Sequence, residues 1–349
     1  MIIGYTCSYI PVEIMHAAGV FPYRIGARES RETTLADAVM SSITCSFARC
    51  CLELVLRGEY KFLDGLVFMN GCENMRRMCD NMTHKIDFKF VSFISVPYKT
   101  DVDAIEWYME ELNIFKGKLE KFVGARITNE KLRKSIEIFN KTRQLLKRLY
   151  ELRRSVNPPL TGTEVQDIVV MGNAMPREEY NRLLEKMIAR ASERKGLNNY
   201  RARLMIVGNM LDDSTYTKAI EESGGLVVTD ASCFGGLSFW KPIEVTGDPI
   251  GDIVRAYLGD FRCPRMPDKQ IQMCRLIKEM VEKFGVDGVI FERMMHCNLW
   301  CGETIALEKI SRELNIPLLI VDREYIPSGL GQLRTKIQAF LEMIMGDKK

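Results

Sequence analysis

The sequence lacks the motifs that most often mark phosphate transfer, zinc catalysis and serine hydrolysis. It contains no Walker-type phosphate loop, no His-Glu-x-x-His motif and no Gly-x-Ser-x-Gly elbow. Histidine, the commonest general acid or base, occurs only at positions 16, 84 and 296. These absences argue against an ATPase, a zinc peptidase and a hydrolase that uses a serine nucleophile.

Long apolar runs and a large charge of one sign are also missing. No apolar run reaches the roughly 18 residues of a membrane helix, and 49 basic residues nearly balance 46 acidic ones to give a net charge of +3. The opening residues predict a strand and not a charged leader followed by an apolar stretch. We therefore expect a cytoplasmic protein that binds neither nucleic acid nor a membrane.

Cysteine, by contrast, is abundant, with eleven in 349 residues. In a reducing compartment structural disulfides rarely persist, and free thiolates suit iron–sulfur clusters, zinc or copper(I). The absence of paired Cys-x-x-Cys knuckles disfavours a ribbon-type zinc site. Cys45, Cys72 and Cys297 draw attention because they lie at or near breaks between predicted elements that are far apart in sequence.

Apolar runs alternate with helical patterns in both ends of the chain, which is typical of βαβ units on a parallel sheet. Charged segments with apolar residues at helical spacing occupy the middle. We therefore predict an α/β protein in three parts: an N-terminal α/β domain (1–100), a helical connecting region (101–200) and a C-terminal α/β domain (201–349). The predicted strands are Ile2–Cys7, Phe21–Ile25, Leu63–Met69, Phe90–Val96, Leu204–Gly208, Leu226–Thr229, Val289–Phe291 and Leu318–Val321.

The predicted strand ends indicate where a site would lie. Ligands of open parallel sheets bind beyond the carboxyl ends of the strands, and Cys7, Cys72 and Cys297 each end or follow a predicted strand. Cys45, Cys72 and Cys297 could therefore converge across a cleft between the two domains. The alternative for any one of them is a small buried apolar residue. His296 precedes Cys297 and could tune or approach a cofactor there, although a purely structural role is the favoured interpretation.

Five segments, in this order and spread over nearly the whole chain, resemble the 2-hydroxyacyl-CoA dehydratase family, which also includes benzoyl-CoA reductase subunits. The matching segments are residues 4–19, 45–49, 63–67, 71–77 and 331–342. Two positions depart from the family pattern: Glu73 stands where an aspartate is common, and Asn298 where an acidic residue often follows the ligand.

The resemblance implies two flavodoxin-like, doubly wound parallel-sheet domains with additional helices and a [4Fe–4S] cluster between them. Matched motif by motif, the cluster ligands are Cys45, Cys72 and Cys297, which leaves one iron open. It also implies an acyl-CoA substrate and a homologous second subunit, as a heterodimer or a homodimer. A separate ATP-dependent iron–sulfur activator supplies one electron, and a ketyl radical of the thioester then loses the 2-hydroxyl group.

Three functions stay open at this point. The first is a 2-hydroxyacyl-CoA dehydratase-like lyase. The second is a reductase, either of an aromatic thioester or with a double-cubane cluster, for which Cys50, Cys51, Cys79 and Cys301 would be extra ligands. The third is a non-catalytic iron–sulfur scaffold or electron carrier. The sequence indicates no catalytic acid or base for any of them.

Overall fold

The computed structural model describes residues 1–28, 30–326 and 329–346. Its eight strands form two separate four-stranded sheets, and each predicted strand is confirmed with ends that shift by a few residues. The strands are β1 (Ile2–Tyr5), β2 (Phe21–Arg24), β3 (Gly65–Met69), β4 (Phe90–Ile94), β5 (Ala202–Gly208), β6 (Gly225–Ala231), β7 (Gly288–Met294) and β8 (Leu318–Arg323).

Both sheets are parallel and share one topology. The first has the order β2-β1-β3-β4 and the second the order β6-β5-β7-β8. In each, the chain starts at an inner strand, moves to one edge and then crosses back, so strand order reverses beside β1 and β5. This is the doubly wound arrangement in which ligands bind at the reversal point. The predicted fold class, α/β with two doubly wound parallel sheets and additional helices, is confirmed.

Helices connect successive strands and fill the middle of the chain. A predicted helical stretch from 34 to 57 with a break near Cys45 is confirmed as two helices, the second of which begins directly after that cysteine. The helices are α1 (Val12–Ala17), α2 (Thr34–Asp37), α3 (Ser46–Leu56), α4 (Glu73–Lys85), α5 (Val102–Val123), α6 (Asn129–Glu151), α7 (Gly162–Met171), α8 (Arg177–Ser192), α9 (Thr215–Glu222), α10 (Pro249–Gly259), α11 (Gln270–Lys283), α12 (Asn298–Cys301), α13 (Thr304–Leu314) and α14 (Leu330–Gly346).

Helices cover both faces of each sheet, as a parallel sheet requires, and they bury the inner strands more fully than the edge strands β4 and β8. All five residues of β3 are buried, and Gly65 at its start is needed because a Cβ there would lie 2.6 Å from the carbonyl oxygen of Phe90. On the second sheet, α9 and α14 cover one face. No helix in the described ranges is both long and apolar enough to cross a bilayer.

The packing also ties the two halves together. Helix α10, from the second half of the sequence, packs against α5 and α6 and shares a core with the first sheet. A second core joins α3 and α4 to the middle helices α6–α8 and to the second sheet. The division of the chain at residues 100 and 200 stays a prediction, since each core draws on more than one of the three parts.

Candidate functional site

A cavity of about 280 Å³ lies where the carboxyl ends of the two sheets face each other. Residues that follow β1, β3 and β4 line one side, and residues that follow β5, β6 and β7 line the other. Both switch points of strand order therefore open into one space. Six cysteines line it: Cys7, Cys45, Cys72, Cys233, Cys263 and Cys297.

Cys45, Cys72 and Cys297, which we call the N-cap triad, occupy equivalent local positions. Each is the residue immediately before a helix: α3, α4 and α12 respectively. The first helix turn leaves backbone N–H groups without partners inside the helix, and a side chain at the N-cap faces them. The structure thus brings together the three cysteines that the sequence singled out, each beside free N–H donors.

Burial and backbone N–H donors shift the pKa values of these thiols in opposite directions. Burial raises the pKa of Cys45 to about 12 and that of Cys72 to about 11, and it also raises the pKa of Cys297. The N–H groups of the residue three positions later, at 48, 75 and 300, oppose this shift. None makes a capping hydrogen bond to the neutral thiol. These donors would act fully on a thiolate, the form that binds metal.

The three thiols are neighbours, because a charge on Cys72 or on Cys297 would raise the pKa of Cys45. Yet no three His, Cys, Asp or Glu side chains of the described ranges are placed to hold one metal ion. Two thiolates on one zinc lie only about 4 Å apart, given a Zn–S bond of about 2.3 Å. A cubane, by contrast, spreads its ligands over several irons.

Hydrogen bonds between the halves fix the N-cap triad. The Ser46 hydroxyl, next to Cys45, accepts the backbone N–H of Tyr325 (2.7 Å). Asn74, two residues after Cys72, donates through Nδ2 to the carbonyl oxygen of His296 (2.8 Å), the residue before Cys297. Each ligand candidate is thus held from the opposite half, which makes the cavity a feature of the assembled chain.

Cys7, Cys233 and Cys263, which we call the loop triad, were not assigned to the site by the sequence analysis. Cys7 and Cys233 follow β1 and β6, and Cys263 lies in the segment after α10. They are also mutual neighbours: charges on Cys7 and Cys233 would raise the pKa of Cys263, which burial already places well above the usual value. The strand-end rule already placed Cys7 at the end of a predicted strand and could have identified Cys233 in the same way, but Cys263 has no local pattern that marks it.

The loop triad has guanidinium groups beside it. Arg24, at the end of β2, opposes the rise that burial causes in the pKa of Cys233, which reaches about 12. Arg265 opposes the rise at Cys263 and donates to the carbonyl oxygens of Pro97 (2.8 Å) and Asn70 (3.2 Å). Arg265 thereby fastens the segment that carries Cys263 to the ends of β3 and β4.

The extra cysteines that the sequence analysis offered for a double-cubane cluster do not line the cavity. Cys50, Cys51 and Cys79 are buried within α3 and α4, and Cys301 is exposed at the end of α12. The side chain of His296 is exposed and does not line the cavity either. Its backbone has a φ of 62°, so its position reflects a tight turn between β7 and α12.

The fold and the site define a two-sheet α/β protein with a thiol-lined cavity between its halves. A model of the family described as 2-hydroxyglutaryl-CoA dehydratase, D-component, matches residues 7–344. The chain therefore belongs to this family, and the resemblance found in the sequence is confirmed.

Curated relatives agree over most of the chain. One of the subunits of the benzoyl-CoA reductase of Thauera aromatica is 29% identical over 85% of this chain and 78% of its own. A putative dehydratase subunit, YjiM, of Escherichia coli strain K12 is 26% identical over 98% of this chain and 91% of its own. The (R)-phenyllactyl-CoA dehydratase beta subunit of Clostridium sporogenes is 25% identical with the same coverage. Two of these relatives are named as subunits of enzymes that act on acyl-CoA thioesters, and the third is named as a putative dehydratase subunit.

A solved structure of a GTP-binding protein from Sulfolobus solfataricus with GDP aligns over 98% of this chain and 99% of its own. Its TM-score of 0.25 and 12% identity carry no argument about this chain.

Proposed function

We propose that this chain is the iron–sulfur subunit of a 2-hydroxyacyl-CoA dehydratase-like enzyme, with a [4Fe–4S] cluster held by Cys45, Cys72 and Cys297. The observation that carries the proposal is the N-cap triad: three thiols from three segments, each before a helix, around one cavity at the meeting of two sheets. The relatives support the proposal because several of them are named as dehydratase or reductase subunits.

The chain's own residues suit a cluster in three ways. N–H groups at the starts of α3 and α4 lie at the positive ends of helices of 11 and 13 residues, which favours negative charge on Cys45 and Cys72. Three protein thiolates leave one position of a four-iron cluster for a ligand from outside the chain. Phe47, Met75 and Trp300 give the cavity an apolar wall that limits water.

When bound, the cluster would supply a low-potential electron and a Lewis-acidic iron for the loss of water from an acyl-CoA, chemistry that acid–base groups alone do not drive. The chain supplies orientation and a secluded cavity between its halves. A homologous second subunit, or a second copy of this chain, and a separate ATP-dependent iron–sulfur activator complete the proposed system.

Anaerobic purification tests the proposal directly. We expect a brown protein with about four irons and four sulfides per chain, whose electron paramagnetic resonance spectrum after one-electron reduction changes on addition of a 2-hydroxyacyl-CoA. Reduction should require the activator or a strong chemical reductant, and the chain alone should not hydrolyse ATP. Colourless zinc-loaded protein, or rapid ATP turnover by the purified chain, would contradict the proposal. Iron without any thioester response in the presence of the second subunit would favour a scaffold or electron carrier.

The loop triad favours a second candidate, a reductase with a double-cubane cluster. A single cubane on the N-cap triad leaves Cys7, Cys233 and Cys263 in the same cavity without a role. Two cubanes with three thiolates each would use all six. The two triads lie close enough to interact electrostatically. A charge on Cys7 would raise the pKa of Cys72, and a charge on Cys297 would raise the pKa of Cys233.

Iron stoichiometry separates the two candidates. The double-cubane reductase should contain about eight irons per chain and the dehydratase-like subunit about four. A count near eight in the wild-type protein, reduced to about four when Cys233 is replaced with serine, would establish the second candidate. A count near four that is unaffected by Cys233→Ser would exclude it.

A further inference from the structure

A second cavity, of about 110 Å³, adjoins the cysteine-lined one, and Arg24 and Ser8 line both. We call it the arginine cavity because Arg143 and Arg177 line it as well. One water molecule needs about 10–15 Å³ by the same measure. The arginine cavity is therefore large enough for a single carboxylate or phosphate group.

Arg24 is the unusual member of this cavity. It is 7% exposed, and its Nε and Nη2 atoms have no hydrogen-bond partner in the described ranges. Its guanidinium lies 3.9 Å from the ring centroid of Phe234, an arrangement that stabilises a cation but satisfies none of its N–H donors. A buried guanidinium without a carboxylate costs free energy, so its presence at this position calls for an anionic partner from outside the chain.

The other two arginines increase the positive charge. Arg143 is paired with buried Glu13 (2.5 Å), whose other oxygen accepts from the Tyr257 hydroxyl (2.7 Å). Arg177 lies over Phe139, its Nε has no partner in the described part of the chain, and burial and then Arg143 lower its pKa. Three guanidiniums and one carboxylate leave two positive charges in excess, and Thr142 adds a hydroxyl to the wall.

We propose that the arginine cavity binds one carboxylate or phosphate group, with Arg24 and Arg177 as its charged donors. Charge-assisted hydrogen bonds to guanidinium are the strongest that side chains offer such a group. Because Arg24 faces both cavities, the anion lies next to the thiols. The inference rests on the proposed function only for the source of the anion, which would be a free carboxylate at the far end of the acyl part of an acyl-CoA. The other source is a free phosphate ion.

The experiment compares ligands and variants of the anaerobically purified protein by titration calorimetry. Glutaryl-CoA, whose acyl part ends in a free carboxylate, should bind wild-type protein about 10- to 100-fold more tightly than butyryl-CoA, whose acyl part ends in a methyl group. The variant Arg24→Met should lose this preference, and Arg24→Lys should restore part of it. Arg153→Met is the matched control, because Arg153 is also buried over an aromatic ring but lines neither cavity.

Inorganic phosphate identifies the source of the anion. Equal binding of the two thioesters, together with phosphate binding that Arg24→Met abolishes, supports the anion site and assigns it to a free ion. If neither the glutaryl preference nor phosphate binding depends on Arg24, the inference is overturned. Iron content is measured on the same samples. If the protein contains its full iron but no anion binding depends on Arg24, the anion-site inference is wrong and the proposed function stands. If the protein contains no iron but binds phosphate in a way that depends on Arg24, the proposed function is wrong and the anion-site inference stands.

Thermal stability separates a binding role from a structural one. Without added anion, Arg24→Met should melt no lower than the wild type, because it removes an unpartnered buried charge. Arg143→Met should melt lower, because it leaves Glu13 buried without its cation. An anion that stabilises the wild type should not stabilise Arg24→Met. A loss of stability in Arg24→Met as large as that in Arg143→Met would show a structural role and overturn the inference.

Discussion

The N-cap triad and the loop triad line one cavity but obtain their electrostatic support differently. The thiols of the N-cap triad face backbone N–H groups of the first helical turn. In the loop triad, Cys233 has the guanidinium of Arg24 nearby, and Cys263 has both the backbone N–H and the guanidinium of Arg265. Backbone donors are fixed by the helix that they begin, whereas a guanidinium serves any anion within reach. Under the proposed function, the fixed donors of the N-cap triad favour thiolate ligands, whereas Arg24 beside the loop triad also belongs to the proposed anion site.

The largest expected effect is a loss of iron when a cysteine of the N-cap triad is replaced. Replacing Cys45, Cys72 or Cys297 with serine should remove nearly all iron, because two remaining thiolates hold a cubane poorly. Iron and sulfide analysis after anaerobic purification measures this. Cys274→Ser, on α11 and away from the cavity, should leave the iron content unchanged. Full iron in all three N-cap variants would refute the ligand assignment.

Replacing a cysteine of the loop triad should change the iron content less. In a single-cubane protein, Cys7→Ser, Cys233→Ser and Cys263→Ser should keep about four irons per chain. In a double-cubane protein each should lose about half of its iron. Iron analysis, with Cys50→Ser as the control for a buried cysteine outside the cavity, distinguishes these results. Complete loss of iron from a loop-triad variant alone would invert the roles assigned to the two triads.

Alkaline pH tests the burial of the N-cap triad in iron-free protein. Burial raises the pKa of Cys45 from 9.0 to about 12, so the folded state holds a proton that the unfolded state loses. The stability contributed by this thiol is present below pH 9 and is lost as pH rises toward 12. Urea unfolding at pH 8 and pH 10.5 should show wild-type protein losing about 2 kcal/mol more than Cys45→Ser. Equal losses would mean that the Cys45 thiol is not buried in the iron-free protein.

The smallest effect concerns the hydrogen bond that joins the two sides of the N-cap triad. Asn74→Ala removes the donor to the His296 carbonyl oxygen and should lower the free energy of unfolding by about 1 kcal/mol. Iron release to a chelator should become faster. The control is Asn81→Ala, whose side chain donates only within α4, to the Arg77 carbonyl oxygen (2.9 Å). Identical chelation rates in the two variants would show that Asn74 does not hold the halves together at the cavity.

Local patterns were sufficient for the elements and for part of the site. The strands could be predicted because apolar runs of strand length report burial on both faces of a parallel sheet. Cys45, Cys72 and Cys297 could be predicted because each lies at an element boundary, and because the surrounding residues resemble a known family. Cys50, Cys51, Cys79 and Cys301, the extra cysteines considered for a double-cubane cluster, do not line the cavity, because residues close in sequence along a helix point to different faces.

The sequence by itself determined two parallel sheets, their strands, the family and three of the six cavity cysteines, since all of these depend on short segments. Only the tertiary structure decided that the two sheets point their carboxyl ends at one cavity. It alone brought Cys263 there, through a segment that Arg265 fastens to the first sheet. It alone left Nε and Nη2 of Arg24 buried without a hydrogen-bond partner among the described residues. Such juxtapositions join residues far apart in sequence, and they depend on how helices pack between the sheets, which no local pattern records.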